Sequence, residues 1–165
     1  MTTLAPVTGD NWRDLAAVRV ADHQRRWVAD VTYYLCLSAY GGLWRSCAVV
    51  AGEGTTVGHV MWAVDPDDGS HWIGGLVIDV AHQGKGLGRA TIESVMALWD
   101  EQEPALSGSP YREAALSVAP DNEAALQLYR SLGFVETGEL SDDELVLRRA
   151  RIPVTHRDRR EAPGR

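Results

Sequence analysis

Apolar positions fall into two patterns along the chain. Short runs that are alternating or wholly apolar predict strands at Thr2 to Thr8, Leu43 to Ala51, Thr55 to Val64, His71 to Asp79, Glu113 to Val118, Phe134 to Gly138 and Glu144 to Arg149. Helical spacing predicts a helix from Asp10 or Asn11 through about Ala21, carried by Trp12, Leu15, Ala16 and Arg19. A second helical stretch runs from about Asp22 to Ala39 and ends at Gly41-Gly42. A third covers Ala90 to Trp99 and reaches about Glu101, with a loop over Pro104 to Pro110. A fourth is opened by Pro120-Asp121-Asn122 and closed after Leu132 by Gly133 as a left-handed cap. Gly52-Glu53-Gly54 and Asp65-Pro66-Asp67-Asp68-Gly69 read as turns, and the first of them makes a hairpin.

The order of elements is that of an α/β (α+β) protein, a mixed sheet with helices on both faces. One domain covers residues 1–150, and residues 151–165, with five arginines, two prolines and a glycine, read as a disordered tail. At 165 residues the chain can bury a real core. Its net charge of -7 argues against nonspecific grip on nucleic acid and suits a cationic substrate. The two cysteines, Cys36 and Cys47, have no metal-ligand spacing and read as reduced thiols of a cytoplasmic protein. No leader segment or membrane-spanning run is read from the sequence.

The most specific local signal is Gln83-Gly84-Lys85-Gly86-Leu87-Gly88-Arg89, set between an apolar strand and a helix. Glycines there let successive backbone N–H groups converge, and the helix aims its positive end at the same point, which is how a protein cradles a phosphate. The loop lacks the Gly-Lys-Ser/Thr of a nucleoside triphosphate loop, because Gly86 follows Lys85. It also lacks the third glycine of a dinucleotide fingerprint, where Arg89 stands. A glycine-rich turn with no ligand remains the alternative on these residues alone.

Gln83, Gly86 and Gly88 fill the pattern Gln or Arg, two residues, Gly, one residue, Gly or Ala. Downstream, Asn122 is followed by Leu128-Tyr129 and Leu132-Gly133-Phe134. Together these resemble the two signatures of the GCN5-related N-acetyltransferases, over about residues 2 to 150. Trp72-Ile73, Ile78-Asp79, Pro120-Asp121-Asn122-Glu123 and Thr137-Gly138-Glu139-Leu140 are similar to the spermine/spermidine acetyltransferase branch. Gly74-Gly75 stand where relatives in that branch often carry arginine or another large residue, which leaves the amine open.

The resemblance implies a mostly antiparallel sheet of about seven strands, with a splayed V between the fourth and fifth. It implies acetyl-CoA as cosubstrate, held by the backbones of Val77, Ile78 and Val80, by Gln83, Gly84, Lys85, Gly86, Leu87, Gly88 and Arg89, and by Asn122, Ala125 and Tyr129. Tyr129 is the expected proton donor to the leaving thiolate, since a phenol is protonated at neutral pH; its structural alternative is a core aromatic. Asp22, Asp65 and Trp72 are the candidates to face the amine. The general base stays open among Asp22, Asp30, Asp65, Asp79, Glu93, His59, His71 and a water chain. The implied reaction is direct transfer of an acetyl group to a primary amine of a small, polyamine-like molecule. Transfer to a protein amino terminus or lysine is the second reading, and a non-catalytic acyl-CoA sensor the third. A homodimer is compatible with the resemblance; neither nucleic acid nor a membrane is expected as a partner, and no metal.

Overall fold

The computed structural model describes residues 2–106 and 111–152. Seven strands form one sheet in the order β1-β2-β3-β4-β5-β7-β6. They are β1 (Thr2–Pro6), β2 (Arg45–Ala51), β3 (Thr55–Val64), β4 (His71–Ile78), β5 (Glu113–Val118), β6 (Val135–Ser141) and β7 (Glu144–Ala150). Helices α1 (Trp12–Ala17) and α2 (Val31–Tyr40) lie on one face, and α3 (Leu87–Leu106) and α4 (Glu123–Ser131) on the other. Every neighbouring pair of strands is antiparallel except β4 and β5.

That exception shapes the molecule. β4 and β5 pair only at His71–Ala114 and Trp72–Ala115, so beyond Trp72 the two strands part into the expected V. β3 is buried along nearly its whole length because both faces are covered, and its sequence is accordingly apolar on both. The larger core joins the sheet to α3 through Ile92, Val95, Met96 and Trp99 and to α4 through Leu126. The smaller core closes α1 and α2 over Leu15, Val18, Val31, Ala48 and Val77.

The strands match their expected positions closely, and the early helices do not. α1 stops at Ala17 instead of about Ala21. The backbone beyond it is taken up by tertiary contacts: Arg19 N–H donates to Asp79 Oδ2 (3.0 Å) and the Arg19 carbonyl accepts from Val80 N–H (2.7 Å). β-branched Val18 and Val20 also favour the extended form. The expected stretch over 22–39 divides into a single 3-10 turn at Asp22–Gln24, an irregular strap, and α2 from Val31. α3 continues to Leu106 through Pro104, a residue that removes only one ladder hydrogen bond near a helix end. Most of the expected tail lies outside the described residues. No described helix is long and apolar enough to cross a membrane.

Candidate active site

The V opens into a cavity of about 410 Å³, walled by β4, β5, the strap, the glycine loop and α4. At one end is the loop that enters α3. Gly84 and Gly86 have φ of +75° and +74°, and a side chain at either would meet open space. These two residues are glycine for their backbone form. Gly88 is different: its φ is ordinary, and a Cβ there would touch Leu128 Cδ2 at 3.4 Å. Ala90 is the first amide to bond back along the helix, to the Gly86 carbonyl (3.1 Å). The amides before it have no partner within the helix and form its positive pole, an arrangement that suits an anion.

Gln83 lines the cavity but spends its side chain inside the protein. It exchanges two hydrogen bonds with Gln24 (3.0 and 3.1 Å) and donates to the Ile78 carbonyl (2.9 Å). Gln24 in turn accepts from Ala21 N–H (3.0 Å). This amide pair ties the strap to the glycine loop. At its other end the strap is tied to the start of α4, where Trp27 Nε1 donates to Asp121 Oδ1 (2.8 Å) and Arg26 pairs with Asp121 (3.1 Å). Lys85 and Arg89 do not line the cavity. Lys85 Nζ donates to the Ala81 carbonyl (3.2 Å), and Arg89 joins Ser131 and Glu93.

Along β4 the backbone direction alternates. Asp79 N–H donates to the Val57 carbonyl on β3 (2.9 Å), and Val77 faces β3 opposite His59. The N–H and C=O of Ile78 therefore point into the gap. Of the three expected backbones, Ile78 turns its N–H to the gap while its carbonyl is taken by Gln83; Val77 also lines the cavity but its backbone belongs to the β3 ladder, and Val80 N–H is already held by Arg19.

β4 also carries a bulge. Its register shifts between His59 and Met61, and Gly75 takes φ +53°. A Cβ on Gly75 would sit 3.1 Å from the Tyr34 ring and 3.2 Å from His59, and one on Gly74 would sit 2.9 Å from Trp44. Trp44, Tyr34 and His59 thus occupy the room a large side chain would need, which explains Gly74-Gly75. His59 is fully buried, stacked on Tyr34 at 5.5 Å, and bonded to the Gly75 carbonyl (2.7 Å) and Ser46 Oγ (2.8 Å). Burial lowers its pKa to about 4.

Across the gap, Asn122 caps α4 by accepting from Ala125 N–H (3.3 Å), and Ala125, Leu128 and Tyr129 line the cavity. Tyr129 is half-buried against Phe134 (6.2 Å). Loss of solvent, with Glu144 and Tyr34 adding negative potential, pushes its pKa up to about 12. The phenol is a donor throughout the physiological range.

Asp65 and Trp72 do not line this cavity. Asp65 accepts from Asp67 N–H in its turn, and Trp72 Nε1 donates to Ser70 Oγ under Arg148. Asp22, Asp30, Asp79, Glu93, His59 and His71 do not line it either. Asp30 pairs with Arg25, Asp79 accepts from the amides of Arg19 and Ala81, and His71 packs on Trp99 and Tyr111 in the core. Instead the cavity holds Glu144, a residue the sequence reading passes over as the start of a strand. Asp142 and Asp143, both with positive φ, make the two-residue turn that sets Glu144 at the head of β7. Ser117 on β5 donates to Glu144 Oε2 (2.6 Å). Only the turn's geometry and the β5–β7 register reveal that pairing, and neither is readable from a single strand's sequence.

A sequence profile described as "Acetyltransferase (GNAT) family" matches residues 11–134. The chain belongs to this family. No curated protein matches it significantly in sequence. Among solved structures it is similar to spermidine N-acetyltransferase from Vibrio cholerae in complex with CoA and spermine, at 20% identity, TM-score 0.65, covering 89% of this chain and 92% of that one. It is also similar to an aminoglycoside acetyltransferase, AAC(6')-Ib, in complex with acetyl-CoA and paromomycin, at 19% identity, TM-score 0.72, covering 91% and 93%. A GCN5-related N-acetyltransferase from Kribbella flavida matches at 20% identity, TM-score 0.61, covering 90% and 97%.

Proposed function

We propose that this protein transfers the acetyl group of acetyl-CoA to the primary amine of a small molecule, with polyamines the first class to try. The observation that carries the reading is one continuous cavity. It runs from the glycine turn at Gly84–Gly88, along the gap-facing edge of β4 at Ile78, to the phenol of Tyr129. A diphosphate suits the first part. A thin, amide-bearing arm suits the second, since it can take the place of a strand between β4 and β5. A thiolate that leaves at the third needs the proton Tyr129 carries. The acceptor enters from the side of Glu144 and Tyr34, where the wall is acidic and aromatic, a match for an organic cation. Site residues on this reading are Ile78 and the amides of residues 84–89 for the coenzyme, and Tyr129 as proton donor.

The test is to incubate the protein with acetyl-CoA and a panel of amines and to follow free thiol. Thiol release with spermidine or another small amine supports the reading. Release only with peptides moves the acceptor to protein amines, and tight binding with no release on any amine refutes catalysis.

A further inference from the structure

We propose that Glu144 receives the ammonium group of the acceptor and takes the proton that must leave before the amine can attack. The inference deepens the acetyltransferase reading and rests on it. Glu144 is the one acidic or basic side chain lining the cavity among the described residues. No described arginine, lysine or histidine pairs with it. The nearest arginine along its strand, Arg148, is committed to Glu113 (2.8 Å), Asp68 (3.5 Å) and Glu139 (3.7 Å). A half-buried carboxylate without a cation is costly, and a cationic ligand relieves it.

The groups that face it fit the task. Tyr34 from α2 and Tyr129 from α4 feel its charge, and Ser117 from β5 donates to one of its oxygens. Asp142 and Asp143 precede it in the turn and add negative potential. Ser117 holds Oε2, which leaves Oε1 to accept from the ammonium.

The balance of the reaction is closed by residues present. One ammonium proton passes to Glu144. The freed nitrogen lone pair forms the C–N bond at the thioester carbonyl, whose π electrons move to oxygen. Collapse re-forms the carbonyl and breaks the C–S bond, and the departing thiolate takes the phenol proton of Tyr129. The Tyr129 phenolate recovers a proton from the new amide nitrogen, and Glu144 returns its own to solvent.

The test compares the wild type with Glu144→Gln and Glu144→Asp. Acetyl-CoA binding, followed by calorimetry, should agree within about twofold in all three, which also shows that the variants fold. With a strongly basic amine at pH 7, kcat/KM for Glu144→Gln should fall about 10²–10⁴-fold. The deficit should shrink about tenfold per pH unit as the amine itself deprotonates, and should nearly vanish for a weakly basic amine already neutral at pH 7. Glu144→Asp should keep the wild-type pH profile at reduced rate. A Gln variant within threefold of the wild type at pH 7, or one equally impaired at every pH and with every amine, overturns the role. A wild type that binds acetyl-CoA yet releases thiol with no amine overturns the acetyltransferase reading, and this proposal with it.

Discussion

His59 donates through Nδ1 to the carbonyl oxygen of Gly75, at 2.7 Å. A carbonyl only accepts, so this bond fixes the tautomer and leaves Nε2 to accept from Ser46. Burial, which lowers the pKa to about 4, keeps the ring neutral at pH 7, and its bond to Gly75 holds the β4 bulge.

Stability should depend on that neutrality. The folded pKa of about 4 lies below the ordinary 6.5, so below pH 6.5 the unfolded chain binds a proton the folded chain refuses. The contribution is complete above pH 6.5 and is lost as pH falls towards 4. It amounts to about 2 kcal/mol by pH 5 and on the order of 3 kcal/mol in the limit. Denaturant titrations at pH 7 and 5 check this. His59→Phe should be weaker at pH 7, having lost both hydrogen bonds, but should lack the acid-dependent loss; an equal loss in both proteins would assign it elsewhere.

Gly84→Ala and Gly86→Ala should each cost about 1–2 kcal/mol in stability, because both take a left-handed backbone. Each should also weaken acetyl-CoA binding at least about tenfold, by turning the amides out of their cradle. Gly88→Ala should leave stability unchanged or slightly raised, as its methyl meets Leu128 at an ordinary distance. Thermal unfolding with and without acetyl-CoA separates the two kinds of glycine.

Tyr129→Phe keeps the ring against Phe134 and removes the proton. Turnover should fall about 10²-fold or more while acetyl-CoA binding stays within about threefold. With the phenol pKa at about 12, the wild-type rate should show no ionisation of Tyr129 below pH 10. Unchanged turnover in the variant would return Tyr129 to the core as a packing residue.

Gln83→Ala and Gln24→Ala should behave as one lesion. Each breaks the same reciprocal amide pair, at a cost of about 1–2 kcal/mol, and the double variant should cost little more than either alone. If Gln83→Ala weakened coenzyme binding and Gln24→Ala did not, Gln83 would be touching the coenzyme directly.

The parts of the fold readable in sequence are those decided locally. β3 and β5 begin and end where apolar runs and turn residues place them, and Gly133 takes the left-handed cap its position after Leu132 suggests (φ +86°). The segment from Val18 to Asp30 was not readable, because partners some sixty to ninety residues away, Asp79, Gln83 and Asp121, draw its polar groups out of helical form. The site divides the same way. The glycine loop and Tyr129 sit in contiguous motifs. Glu144 enters the cavity only through a hairpin turn and a strand register. Asp65 and Trp72 are polar or aromatic residues that neighbours in their own turn and strand occupy.

The parting of β4 and β5 has a consequence for how such a chain tolerates change. The grip it offers along the gap comes from peptide groups, which every residue type supplies. What must persist is a bend at Gly75 and two pairs at His71 and Trp72 that hinge the halves together. The side chains of both strands answer to the cores behind them, at Ile73, Val77, Ala114, Ala115, Leu116 and Val118, and not to whatever the gap holds.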